Sequence, residues 1–414
     1  MKVQKPILLI FSQCHIYGGS ERLMQSIYKN SYILDEFNIV FSYSYFKDYK
    51  IGLKRDIESH NLKTIFKPLY LITNGDIYNK INLKLNNKPL RRLIKLPFFL
   101  IEITGLYAIW NIIYFFIYLL ILKPDVVHIN NGGYPAAKAC NQLALILNFF
   151  PSINVIYQVN NKAIKKTNFI SRNKDKLISK NIRFFLTHSL ENKIALIKRG
   201  FKETSVRNFP SYFNETILSS NLKPINIRKG RFTLSMVGFL SFRKGQLFLL
   251  EALLEIKRLD YSVYCDIQLN FVGDGENKFI LEDFIKKNNL TENVTLWGNR
   301  PDYIQFIKEC DLYMLTSVEG EDLPLVLLTA MQNNRCIIAS DFAGISELLT
   351  HEYDAFLVKP NLNTIAIDIA NAIIYLYKNP EIRDAFSKNV AQTFIENLGE
   401  EKYAKNLLKL YNSK

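Results

Sequence analysis

Residues 232–256 read FTLSMVGFLSFRKGQLFLLEALLEI. An apolar run, Phe232–Val237, stops at a glycine. A turn carrying Arg243 and Lys244 follows, and leucines at helical spacing come after it. This is the pattern strand, glycine turn, helix. Helix-length stretches likewise follow the downstream apolar runs Ile267–Val272, Val294–Trp297, Leu312–Leu315, Cys336–Ala339 and Ala355–Val358. Upstream, the runs Ile7–Phe11, Phe37–Ser42, Asp125–Ile129, Val155–Val159 and Phe184–Thr187 are separated by segments long enough for helices. Short continuous apolar strands separated by helix-length segments predict parallel sheets covered on both faces. The fold class is therefore α/β, with two doubly wound domains in series.

The chain has 414 residues, of which 48% are hydrophobic and 22% charged. That length exceeds what one core usually fills, and the balance excludes a disordered or collagen-like chain. A polar stretch, Ser211–Gly230, punctuated by Asn221 and Pro224, marks the expected join. The expected division is 1–215, 216–385 and a C-terminal helix over 386–414 that packs back on the first domain. Five scattered cysteines give neither a disulfide framework nor a zinc site. The opening MKVQKPILLIFSQCH has too short an apolar run for a signal peptide and reads as the first strand.

The net charge of +15 is one-sided. Residues 1–200 hold 29 basic and 11 acidic side chains, a net +18, whereas the rest of the chain is at −3. An excess of this kind implies an anionic partner for the first half. Within that half, Ile103–Leu122 is a run of twenty uncharged residues, ITGLYAIWNIIYFFIYLLIL, just after the basic KLNNKPLRRLIKL of 84–96. By length the run could cross a bilayer. However, Tyr107, Trp110, Asn111, Tyr114 and Tyr118 are spread along it, and it leads directly into a core strand. A helix lying in the anionic membrane surface or packed on the domain, behind a basic patch, fits better than a true span. No nucleic-acid module accompanies the basic residues, so nucleic acid is not the expected partner.

Several motifs are suited to binding phosphate. Gly18 and Gly19, in YGGSERLM, allow close backbone approach, and the helix that follows presents free N–H groups. Arg243 and Lys244 stand at a second helix N-terminus, which makes a diphosphate site without a metal. FVGDGENKFILEDF, LTSVEGEDLPLVLLTAM and ASDFAGISELL repeat the turn-before-helix arrangement. In LTSVEGEDLPLVLLTAM, carboxylates and the backbone around Leu323 precede an apolar helix.

Taken together, GGSER, PDVVH, THSLENKIALIKRG, VGFLSFRKGQ, VGDGE and the region beginning at Glu321 resemble the family-4 retaining glycosyltransferases of the GT-B fold. The resemblance runs over nearly the whole chain. It implies two Rossmann-like domains facing across a cleft, the second binding a nucleotide-sugar donor and the first the acceptor. It assigns Lys244 to the donor diphosphate, with Arg243 as a second contact where Phe239 replaces the family's arginine. Glu321 matches the glutamate that contacts the donor sugar, with Glu319 as the alternative register. Thr329 stands where the family holds the ribose with a second glutamate. Gly18 and Gly19 match the loop beside the diphosphate, and Asn299 and Arg300 follow the strand near the base. Asn160, or Asn161, occupies the place of a histidine near the donor sugar, and an amide there cannot act as a base. His15 and His128 are lone histidines of the kind that is more often structural.

The expected function is transfer of a sugar, with retention, to a surface glycan of the lipopolysaccharide, capsule or O-antigen type. The expected acceptor is lipid-linked, and the expected location is the cytoplasmic face of the cell membrane. No metal or other cofactor is expected, because no DxD-type motif follows a strand. The departures at Phe239, Thr329 and Asn160 keep a second reading open, a scaffold or partner subunit that has lost catalysis. A different enzyme on the same fold, such as a nucleotide-sugar epimerase, is a third.

Overall fold

A computed structural model describes residues 5–57, 63–85, 87–164, 169–213, 230–319 and 321–413. It holds two all-parallel sheets, as the alternation of apolar runs requires. The first contains β1 (Ile7–Ser12), β2 (Asn38–Ser44), β3 (Ile65–Leu69), β4 (Val126–Asn131), β5 (Asn154–Val159), β6 (Phe184–Thr187) and β7 (Val206–Asn208). Their spatial order is β3-β2-β1-β4-β5-β6-β7. The second contains β8 (Phe232–Val237), β9 (Ile267–Val272), β10 (Val294–Leu296), β11 (Leu312–Leu315), β12 (Cys336–Ser340) and β13 (Phe356–Val358), in the order β10-β9-β8-β11-β12-β13. Sequence reading missed β3 and β7. β3 alternates exposed and half-buried positions and contains Pro68, and β7 is three residues long; both are edge strands without a continuous apolar run.

The chain divides into two compact units. One comprises Met1–His188, Asn192–Ser211 and Glu400–Lys414, and the other Ser189–Glu191 and Tyr212–Gly399. Most of the stretch expected to join the domains, 214–229, lies outside the described residues. The expected C-terminal helix over 386–414 is two helices, Pro380–Leu398 and Glu400–Tyr411, separated at Gly399. Only the second belongs to the first unit. There Tyr403, Ala404, Leu407 and Tyr411 are buried, Phe37 and Phe209 pack on Tyr411 and Tyr403, and Asn154 donates to the carbonyls of Leu410 and Tyr411.

In each sheet the middle strands are buried on both faces, so their apolar runs are continuous. Core side chains of the first unit include Phe11, Val127, Ile129, Val155, Tyr157 and Phe185; those of the second include Leu234, Leu253, Leu269, Met314, Ile338 and Ile369. The uncharged run Ile103–Leu122 is not one helix. A helix Lys88–Ile103 ends at Thr104, Gly105 takes a left-handed conformation (φ +76°), and a second helix runs Leu106–Leu122. The two are bent by 53°. Among the described residues no single helix is long and apolar enough to cross a membrane, although the bent pair together passes that test of length and composition.

Candidate functional site

Both sheets have one point at which the strand order reverses direction, between β1 and β4 and between β8 and β11. Loops leaving the carboxyl ends of such strands splay apart and leave a crevice where open α/β sheets bind ligands. Most of the residues singled out from the sequence fall at these ends.

In the second unit, neighbouring strands β8, β9 and β10 run into Gly238, Gly273 and Gly298. Gly273 (φ +145°) lies so close to its neighbour that a Cβ there would stand 1.9 Å from the Gly238 carbonyl oxygen. The segment after β8 forms a short turn, Phe242–Lys244, closed by Gly245 in a left-handed conformation (φ +81°), and the helix Gln246–Leu259 starts there. A Cβ on Gly245 would meet the Thr316 carbonyl oxygen at 2.0 Å. That close approach is locked on both sides. The Val318 N–H donates to the Arg243 carbonyl at 2.9 Å, and the Thr316 hydroxyl donates to the Gly245 carbonyl at 3.2 Å. The basic turn after β8 is thus bound to the acidic loop after β11.

This brings three of the expected residues together. Lys244 Nζ lies 2.6 Å from Glu321 Oε1, and Arg243 Nη1 donates to the same oxygen. Glu321 is buried, and the Lys244 side chain is only 12% exposed. Two cations converging on one carboxylate at a helix N-terminus are an arrangement able to hold an anionic group, as they here hold the Glu321 carboxylate. Leu323 is buried beside Asp322, whose carbonyl accepts from the Gly344 N–H at 3.0 Å. A Cβ on Gly344 would stand 2.4 Å from that carbonyl, so the turn in ASDFAGISELL packs against this loop.

Other expected residues are placed differently. Thr329 is buried, and its hydroxyl donates to the Leu325 carbonyl one helical turn back. Glu319 and Asn299 are exposed. Arg300 makes a two-pronged bond with Asp302, at 2.8 and 2.7 Å, and lies 5.8 Å from the Trp297 ring. That bond holds the Asp302 carboxyl below its ordinary pKa and raises that of the guanidinium. Phe239 is more than half exposed on the turn after Gly238.

Gly18, Gly19 and Asn160 belong to the first unit; Gly19 is exposed, whereas Gly18 and Asn160 take part in one polar network. Gly18 donates through its N–H to Glu21 Oε2 at 3.3 Å, and Ser20 and Ser12 donate to Glu21 at 2.7 and 3.1 Å. Asn130 then donates to Ser12 Oγ at 3.0 Å, and Asn160 to Asn130 Oδ1 at 2.7 Å. Asn160 Oδ1 accepts from Gln158 at 2.8 Å and lies 2.9 Å from His188 Nε2. His128 closes the chain, with Nε2 3.0 Å from Gln158 Oε1 and Nδ1 2.7 Å from the Tyr411 hydroxyl. Because Gln158 Oε1 can only accept, His128 carries its proton on Nε2 and accepts from Tyr411.

Asn160 is therefore buried, with both ends of its amide engaged inside the protein. Asn161, the other reading of that place, is exposed and donates to the Gly132 carbonyl. Sequence reading passed over Glu21 and His188. Glu21 follows the glycine pair that drew notice; its burial, which raises its pKa, is a tertiary fact. Burial pushes both His128 and His188 down to about 4. His15, by contrast, packs its ring on Phe46 at 4.4 Å. Among the described residues no group of three or more His, Cys, Asp or Glu gathers as metal ligands.

Residues 219–393 match the family described as "Glycosyl transferases group 1". An uncharacterized glycosyltransferase of Methanocaldococcus jannaschii is 24% identical over 247 residues, covering 59% of this chain and 61% of that protein. The UDP-Gal:alpha-D-GlcNAc-diphosphoundecaprenol alpha-1,3-galactosyltransferase of Escherichia coli is 27% identical over 224 residues, covering 53% and 54%. The chain thus spans little more than half the length of these two relatives. The crystal structure of Anabaena Alr3699/HepE in complex with UDP aligns with a TM-score of 0.70 at 17% identity, covering 98% of this chain and 99% of that one. At that identity the likeness is one of fold, two Rossmann-like units of the GT-B type.

Proposed function

We propose, from the premise that residues 219–393 belong to the group 1 glycosyl transferases, that this chain moves a sugar from a nucleoside-diphosphate sugar to a glycan acceptor. One observation carries the reading: Lys244 and Arg243 converge on Glu321 at the start of the helix Gln246–Leu259, at the point where the β8–β11 strand order turns. When the bond from the sugar's anomeric carbon to the β-phosphate oxygen breaks, negative charge grows on the departing diphosphate. Cations and helix N–H groups already in place stabilise that charge more than they stabilise the ground state, which lowers the barrier. A Glu321 released from the cations is free to meet a hydroxyl of the donor sugar. The departing phosphate oxygen takes the acceptor's proton, so the step needs no titrating side chain; it proceeds with retention and without a metal. The acceptor we infer is a lipid-linked surface glycan, handled at the cytoplasmic face of the cell membrane. The named activity of the Escherichia coli relative, on a diphosphoundecaprenol-linked sugar, supports that class.

The test is a panel of nucleotide sugars incubated with the protein and membrane extract, with the anomeric configuration of the product read by NMR, with and without EDTA. Retained configuration and unchanged turnover in EDTA are expected. An inverted product, or turnover abolished by EDTA and restored by manganese, overturns the mechanism. A second reading, a donor-binding scaffold without turnover, is favoured by the hydroxyl of Thr329 being spent on Leu325 and the amide of Asn160 being spent inside the network. Thermal stabilisation by UDP or GDP with no turnover of any nucleotide sugar would establish it.

A further inference from the structure

The bent helix pair of the first unit leaves its outer surface apolar. On Leu106–Leu122 the exposed positions are Leu106, Ile109, Trp110, Ile113, Phe116, Ile117, Leu120 and Ile121, a single stripe at helical spacing. None of these side chains is polar beyond the Trp110 ring nitrogen. The opposite face is apolar too, and it is fixed in the core. Phe115 packs edge-on against Phe11 at 5.2 Å, Tyr118 bonds Ser42 at 2.7 Å, and Asn111 clasps both the N–H and the carbonyl of Ile72. A helix apolar on all sides belongs in a core or in lipid, and here only one side is in the core. The preceding helix, Lys88–Ile103, has no buried residue, and it exposes Leu93, Leu96, Phe99, Leu100 and Ile103. With each side chain about half exposed, the combined patch is on the order of 1,000 Å², against a few hundred Å² on ordinary soluble monomers.

The charge beside this patch selects the partner. Lys88 and Arg92 are exposed on the first helix, Arg91 and Lys95 are half-buried beside them, and the single acid of the pair, Glu102, is held by Lys138. Residues 1–200, nearly all of which belong to this unit, carry the +18 excess. An apolar stripe flanked by basic side chains matches an anionic bilayer surface, whose acyl chains take the stripe and whose headgroups take the cations. We propose that the bent pair Lys88–Ile103 and Leu106–Leu122 is an in-plane membrane anchor that enters an anionic leaflet by one layer of side chains and no further. The depth follows from the core face. Leu106–Leu122 cannot sink deeper without withdrawing Asn111, Phe115 and Tyr118 from the first sheet. The 53° bend at Gly105 lets two short helices lie along one surface in different directions. The bilayer is chosen by the apolar stripe and the basic side chains beside it; only the link between this anchor and a lipid-linked acceptor rests on the function proposed above.

Trp110 lies on the stripe, and Trp297 is the chain's other tryptophan. Full-length protein carrying Trp297→Phe therefore reports on the patch alone. With vesicles of phosphatidylcholine containing phosphatidylglycerol, at low salt, Trp110 emission should shift to the blue, and lipids brominated near the headgroup should quench it more than lipids brominated near the chain ends. Pure phosphatidylcholine should give weaker binding. Lys88→Gln with Arg92→Gln should weaken binding to the anionic vesicles by about fivefold for each charge removed. Leu100→Asp with Ile113→Asp and Ile117→Asp, all at exposed positions, should abolish the shift while circular dichroism stays that of the wild type. No shift with anionic vesicles overturns the proposal. So does stronger quenching from the chain ends, which means a deep insertion, and so does a shift that grows with protein concentration without lipid, which means a second copy covers the patch. Thermal stabilisation of the wild-type protein by a panel of nucleoside diphosphates, UDP and GDP among them, tests the donor site separately, so vesicle binding with no stabilisation by any of them refutes the proposed function and leaves the anchor standing.

Discussion

Acid should loosen the first unit through its two buried histidines. In the folded protein His128 and His188 are held neutral, with pKa values of about 4, because burial penalises the charged ring. In the unfolded chain each titrates near 6.5. A pKa depressed by folding supplies stability that is complete above the unfolded value and is lost as pH falls through the folded one. Below both values the loss is about 3 kcal/mol per ring, and at pH 5 it is already about 2 kcal/mol per ring. Two rings together therefore remove about 4 kcal/mol at pH 5, a large share of the roughly 5–15 kcal/mol that holds a typical domain together. Glu21 acts in the opposite sense: its raised pKa favours the protonated fold as pH falls toward the unfolded value. The histidines are therefore isolated by comparison with variants. Urea unfolding followed by circular dichroism at pH 7.5 and pH 5.0 should show the wild-type midpoint falling steeply. His128→Gln, less stable at pH 7.5, should lose about half as much on acidification. A pH dependence in the variant equal to that of the wild type would refute the account of the buried pair.

Three further outcomes are expected. Lys244→Ala removes a charge-assisted contact to the departing phosphate and should lower turnover about 30- to 1,000-fold, which is about 2–4 kcal/mol of transition-state stabilisation; turnover with the cognate donor within about threefold of wild type would exclude that role. Glu21→Gln should keep the loop after β1 ordered better than Glu21→Ala, because the amide oxygen can still accept from Gly18 or Ser20, and the alanine variant should lose about 1–3 kcal/mol of stability in urea; equal stability of the two would show that the network does not hold the loop. Gly245→Ala should cost far more than Gly200→Ala. Both glycines have positive φ, but a Cβ at 245 strikes the Thr316 backbone whereas nothing lies within 4 Å at 200; similar melting temperatures for the two variants would show that the turn relaxes.

The sequence by itself determined the strands and their class. A strand buried on both faces needs a continuous apolar run, so β1, β4, β5, β8, β9 and β11 were legible from those runs, while edge strands β3 and β7, which need no such run, were not. It also determined that Lys244 and Arg243 sit at a helix start, since Gly245 and the leucine stripe after it are local signals. Tertiary structure alone decided which residues those cations meet. Glu321 is 77 residues from Lys244 in the chain, and it arrives there because β11 lies beside β8 and the Gly245 turn fits against Thr316. Burial was likewise beyond one-dimensional reading: Asn160 and His128 drew notice singly and Glu21 and His188 not at all, and they become one network because β1, β4, β5 and β6 are neighbours with matched registers. The uncharged run 103–122 shows the same division. Its composition announced an apolar segment, but a break at Gly105 and a sheet that covers only one face decided that it forms a bent pair with a bare outer stripe. Local propensity and periodicity act over a few residues and are written in the chain; pair formation and exposure depend on which distant element occupies the adjacent space.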